Sequence, residues 1–134
     1  MKEGQPSVIY LKDYQVPDFL IDKTILRFEI HDDQTRVISQ LSMRRNPEAA
    51  SMTADLVLNG GPGLTTQAIS IDDRTLLNNE YRITDERLTL SGLPETFELK
   101  TEVCIRPQDN LALSGLYQSG GMFCTQCEAE GFRN

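Results

Sequence analysis

The sequence predicts an all-β fold: a mainly antiparallel sandwich or saddle of two sheets, with little or no helix. Three observations carry that expectation. Apolar residues recur with period two rather than 3.6, the alternating runs return at intervals of roughly ten residues, and Gly, Pro, Asp and Ser punctuate the gaps. At 134 residues the chain fits one domain, long enough to bury a core of its own.

The first element is a hairpin. In ILRFEIHDDQTRVISQLSMRR, Leu26, Phe28 and Ile30 alternate with Arg27, Glu29 and His31. Beyond Asp32-Asp33-Gln34, the residues Val37, Ser39, Leu41 and Met43 alternate with Arg36, Ile38, Gln40, Ser42 and Arg44. Successive strand side chains point to opposite faces, so this pattern predicts a β-hairpin with one buried face. In NPEAASMTADL, Asn46 as an N-cap and Pro47 at the first helical position mark the one place where a short helical turn is expected.

Leu56-Val57-Leu58 reads as a short strand stopped by Gly60, Gly61, Pro62 and Gly63, residues that supply turn geometry. QAISIDD and YRITDERLTLSGLP give further short strands, broken at Asp72-Asp73, Asp85-Glu86 and Ser91-Gly92. TFELKTEVCIRP is the longest alternation, with Phe97, Leu99, Thr101, Val103 and Ile105 on one side and Glu98, Lys100, Glu102 and Cys104 on the other. Pro107 ends it by removing an amide donor.

Thirteen basic against twenty acidic residues give a net charge of -7, which repels phosphate backbones and excludes nucleic acid as a partner class. No window approaches the roughly 18 consecutive apolar residues of a membrane span, and the first residues lack a signal-peptide h-region. Three cysteines, an odd number, fit a reducing compartment better than a disulfide framework. A cytoplasmic location and no membrane span are therefore expected.

Cys124-Thr125-Gln126-Cys127 has the spacing of half a zinc site. The remaining ligands would have to be Cys104 and His31, whose spacing matches no zinc-ribbon pattern, so no metal site is expected in this chain. A redox role needs a thiol at a helix start after a strand; the flanks GGMF and EAEGF supply none. His31 reads as a solvated histidine at a turn. NGGPGL lacks the Gly-Lys-Ser/Thr ending of a phosphate loop, and no nucleophile elbow is present, so no catalytic residue is expected here either. Gln126 and Glu128, two apart on an extended strand, would project to one face, where a carboxylate beside a dry pocket could receive an ammonium. Pattern alone favours a solvated polar strand face.

The residues ALSGLYQSGGMFCTQCEAEGFRN resemble the N-terminal domain of the zinc-dependent aminopeptidase N family of bacteria. The resemblance extends through KDYQVPDFLIDKTILRFEI, the Leu58-Asn59-Gly60 stretch and SGLPETFELKTEV, in the same order. It implies a β saddle or sandwich, in agreement with the alternation. It also implies that Gln126-Cys127-Glu128 is a substrate-pocket element, Glu128 binding the free α-amino group of a peptide and Gln126 lining the pocket for its first side chain. The family's H-E-x-x-H helix and G-x-M-E-N strand are absent from these residues, so the resemblance implies zinc ligands outside this chain and no peptidase activity in the chain alone.

On this resemblance residues 1–134 are an N-terminal β-domain that continues past Asn134, its structural partner being the catalytic domain of the same parent polypeptide. The alternative is a free-standing β-sandwich binding module, which requires a closed, well-covered sheet. An exposed apolar patch beside residues 116–134 would point instead to a missing neighbour.

Overall fold

The chain's longest alternating runs pair with one another. In the computed structural model, which describes residues 8–61, 63–84 and 86–127, β1 (Phe19–Ile30) and β2 (Thr35–Arg45) form the expected hairpin. Its loop is closed by the His31 N–H donating to the Gln34 carbonyl at 3.0 Å. β2 pairs on its other side with β8 (Thr96–Ile105), and β8 with β4 (Thr65–Ile71), all antiparallel. The two-residue β5 (Arg74–Thr75) completes a five-stranded sheet in the order β1-β2-β8-β4-β5. β4 and β5 are joined through Asp72 and Asp73, both at positive φ, the primed-turn geometry that matches strand twist and that aspartate tolerates.

A second sheet of three strands, β3 (Leu56–Asn59), β7 (Arg87–Leu90) and β6 (Tyr81–Thr84), runs in the order β3-β7-β6. It lies over one end of the large sheet. Leu58, Leu88 and Tyr81 pack against Leu99, Phe97, Met43 and Ile69, which with Leu56 and Leu90 form the buried core. The register aligns these large-sheet residues in rows: Met43 faces Phe97 and Leu41 faces Leu99 across β2 and β8. The alternation in residues 97–105 thus sets which side of β8 meets the small sheet.

The edge of the core is sealed by a polar group. Arg45 is buried, its Nη1 and Nη2 donating to the carbonyls of Ala54 and Leu93 at 3.0 Å each, with its guanidinium carbon 4.9 Å from the centroid of the Phe19 ring. Phe19 in turn meets Phe97 edge-on at 5.9 Å, a favoured aromatic geometry. The arginine is tolerated inside because those donors are satisfied and its planar face stacks.

The helical turn expected after Asn46 does not form; residues 46–53 are turns and bends. Asn46 Oδ1 accepts from the Glu48 N–H at 3.0 Å while its Nδ2 donates to the Pro17 carbonyl at 2.8 Å. The side chain makes an Asx turn and ties down the entry to β1, and no apolar stripe follows that could bury a helix. Among the described residues helix is confined to two short 3-10 turns, Leu11–Asp13 and Pro107–Asp109. No helix among the described residues is long and apolar enough to cross a membrane.

Candidate functional site

The tract singled out by sequence lies on a separate two-stranded ribbon, β9 (Gly115–Ser119) and β10 (Met122–Gln126). Ser119 pairs with Met122 across Gly120-Gly121, whose φ values are 56° and 82°. Positive φ at both central residues defines the two-residue turn that glycine enters without steric cost. At the other end Gln126 pairs with Gly115. Gly115 itself has φ 75°, a backbone state that would strain an L side chain.

The ribbon's base is fixed by one asparagine. Asn110 Nδ2 donates to the carbonyls of Ser114 and Leu116 at 2.8 and 2.9 Å, and its Oδ1 accepts from the Ala112 N–H at 3.1 Å. The preceding 3-10 turn is anchored as well: Gln108 Nε2 donates to the Asp33 carbonyl at 2.6 Å, and Arg106 Nε to Asp109 Oδ2 at 2.7 Å. The bond to Asp109 raises the Arg106 pKa above the ordinary arginine value. A chain of polar contacts thus runs from the β1–β2 turn to the residue next to Gly115. Sequence reasoning passed over Asn110; the available signal was an Asx residue within DNLALSG, between a proline-terminated strand and a glycine.

Strand alternation divides the ribbon. Leu116 and Thr125 share one face, and Leu116 is buried there against a groove of about 690 Å³ between the two main sheets. Gln126, Cys124 and Tyr117 occupy the other face. Gln126 is exposed at the end of β10. Glu128, its expected companion, lies outside the described residues.

Cys124 is half-buried and opposite Tyr117, Cys127 is exposed just after β10, and Cys104 sits on β8 opposite Arg36 and Thr65; all three are free thiols. His31 is exposed at its turn. Among the described residues no group of three His, Cys, Asp or Glu side chains is arranged to hold a metal ion.

The large sheet's other face is polar. Arg36 bridges Glu102 and Glu29, and Arg27 also meets Glu29. The hydrogen bond from Arg36 is the main cause that holds the Glu102 carboxyl below, and Arg36 itself above, their ordinary pKa values.

Comparison with known proteins gives a consistent result. No family model matches the chain. It is 47% identical to the aminopeptidase N of Caulobacter vibrioides over 133 residues, 40% identical to that of Escherichia coli over 130 and 37% identical to that of Haemophilus influenzae over 128. These alignments take in 99%, 97% and 92% of the chain but only 15%, 14% and 14% of the relatives. The chain therefore spans about one-seventh of the length of the curated relatives it matches. Among solved structures, a crystal structure of Legionella pneumophila aminopeptidase A in complex with aspartic acid superposes with a TM-score of 0.80 at 26% identity, over 92% of this chain and 14% of that one. Sequence and fold together make this chain similar to one small part of these aminopeptidases.

Proposed function

We propose that residues 1–134 are the N-terminal β-domain of a longer cytoplasmic zinc aminopeptidase, and that Gln126 and Glu128 form one wall of its substrate pocket. The observation that carries this is the match, at 37–47% identity, of nearly the whole chain to one small part of three aminopeptidase N proteins. In this reading the zinc ligands belong to the catalytic domain of the same polypeptide. When bound there, zinc supplies an activated water for hydrolysis.

The role of this chain is recognition. A Glu128 carboxylate hydrogen-bonded to the substrate's α-ammonium selects peptides with a free N-terminus, because an acylated one loses its charge and leaves the carboxylate unpaired. Gln126, at the end of β10, lines the pocket for the first side chain of the substrate in this reading. The rival reading, a free-standing binding module, needs a covered sheet. The uncovered apolar end of the large sheet, where Leu26, Phe28 and Ile30 are exposed, speaks for a larger protein instead.

The test is an assay of the full-length protein beside the 134-residue chain. Full-length protein should release N-terminal residues from unblocked peptides, lose that activity to a chelator and regain it with zinc. The 134-residue chain should show no turnover. Full-length protein without aminopeptidase activity after zinc loading would sink the proposal.

A further inference from the structure

The inner face of the large sheet is apolar toward both ends, yet at its far end Thr35 is buried while Phe28 and Ile30 beside it on β1 stay open. Its rows run Met43-Phe97, Leu41-Leu99 and, further along, Phe28-Val37-Val103 and Ile30-Thr35-Ile105. The first two lie under the small sheet. Past them, Phe28 is 41% exposed and Ile30 46% exposed, and the groove opens over Leu26, Phe28, Val37, Val103 and Ile105.

We infer that this open half is a docking surface for the polypeptide that follows residue 134 in the full-length protein, taken up as apolar side chains rather than as a diffusible ligand. The inference rests on the proposal that the chain is part of a longer aminopeptidase. Three observations support the choice of occupant. The large-sheet floor of the groove offers only the hydroxyls of Ser39, Thr66 and Thr101 as polar side-chain groups, while Asn59, Glu86 and Arg87 line its other side; so apolar a floor suits packed apolar side chains. Leu116 of β9 already covers one edge of the groove. Because β10 returns antiparallel to Gly115, the residue beside Leu116, the chain leaves its last described strand next to the uncovered face. Finally, the relatives carry about six-sevenths of their length outside the matched part, ample polypeptide to supply the cover.

The test is thiol labelling in the full-length protein. Phe28→Cys and, as an exposed reference on a turn, Asn79→Cys are reacted with a maleimide, and modified peptides are resolved by mass from those of the native cysteines. Docking predicts that position 28 reacts about 10-fold or more slowly than position 79, since access limits the rate. Rates within about twofold of each other would overturn it. Leu26→Cys repeats the measurement should Phe28→Cys fail to fold. Protection that vanishes on dilution to the monomer would also overturn it, in favour of a second copy as the cover. Peptidase activity is followed in the same samples. An active enzyme with a rapidly labelled position 28 defeats the docking surface alone, and an inactive one with a protected position 28 defeats only the peptidase reading.

Discussion

Leu99 and Phe28 occupy the same face of the same sheet, and they live in different surroundings. Leu99 has no exposed surface, enclosed by Leu41, Ile69 and the small sheet; Phe28, two strands away and further along, keeps 41% of its own. The strand chemistry is equivalent at both places. What differs is whether a second layer arrives, and in the described structure it arrives only as far as β3, β7 and β6 reach. A sheet face becomes a core only with the element that covers it, so stability in this chain is concentrated at one end.

That contrast can be broken by substitution. Leu99→Ala removes a fully enclosed side chain and should cost about 2–5 kcal/mol in denaturant unfolding of the 134-residue chain, through lost transfer energy and the cavity left behind. Asn110→Ala should cost about 1–2 kcal/mol, because three backbone groups lose their partner but lie near solvent that can replace it. In full-length protein the same change should raise KM for unblocked peptides, since it loosens the base of the ribbon that carries Gln126. Phe28→Ala should cost the 134-residue chain only about 1 kcal/mol, a partly exposed ring having already kept much of its hydration. A Phe28→Ala loss as large as that of Leu99→Ala would show that the open end is covered in the chain itself.

The smallest expected effect is electrostatic. Glu102 is held below the ordinary glutamate pKa chiefly by its hydrogen bond from Arg36, and Glu80 by the Leu77 N–H and then by Arg74. A lowered folded-state pKa means that the stabilisation is fully present above the ordinary glutamate range and is lost as pH falls through the lowered values. Both groups are open to solvent, so the loss should be slight. Acid titration of the midpoint should become shallower in Glu102→Gln, and an unchanged slope would remove this pair from the account.

Much of the fold was legible because period-two alternation is a local signal. Phe97, Leu99, Thr101, Val103 and Ile105 announce one face of β8, and the register confirms it. Alternation says which side of a strand is apolar and is silent on what covers it, so Leu26, Phe28 and Ile30 read as buried although they are exposed. Asn46 misled for a related reason: an N-cap and an Asx turn begin with the same residue and the same hydrogen bond, and only a following apolar stripe separates them. Arg45 carried no sequence sign of its burial, which depends on Ala54 and Leu93 arriving from elsewhere in the chain. Gln126 was legible as a strand residue, while the opposing Gly115 and the pin at Asn110 emerge only from pairing.

The measurement that bears most directly on the proposed role of this chain is kcat/KM of the full-length protein and its Glu128→Ala variant, on a free-amine peptide and on the same peptide N-acetylated. Loss of one charge-assisted hydrogen bond predicts a drop of about 10- to 150-fold on the free amine. Little change is predicted for the acetylated substrate, on which the wild type is already poor. A variant equal to wild type on the free amine would contradict amine recognition by Glu128.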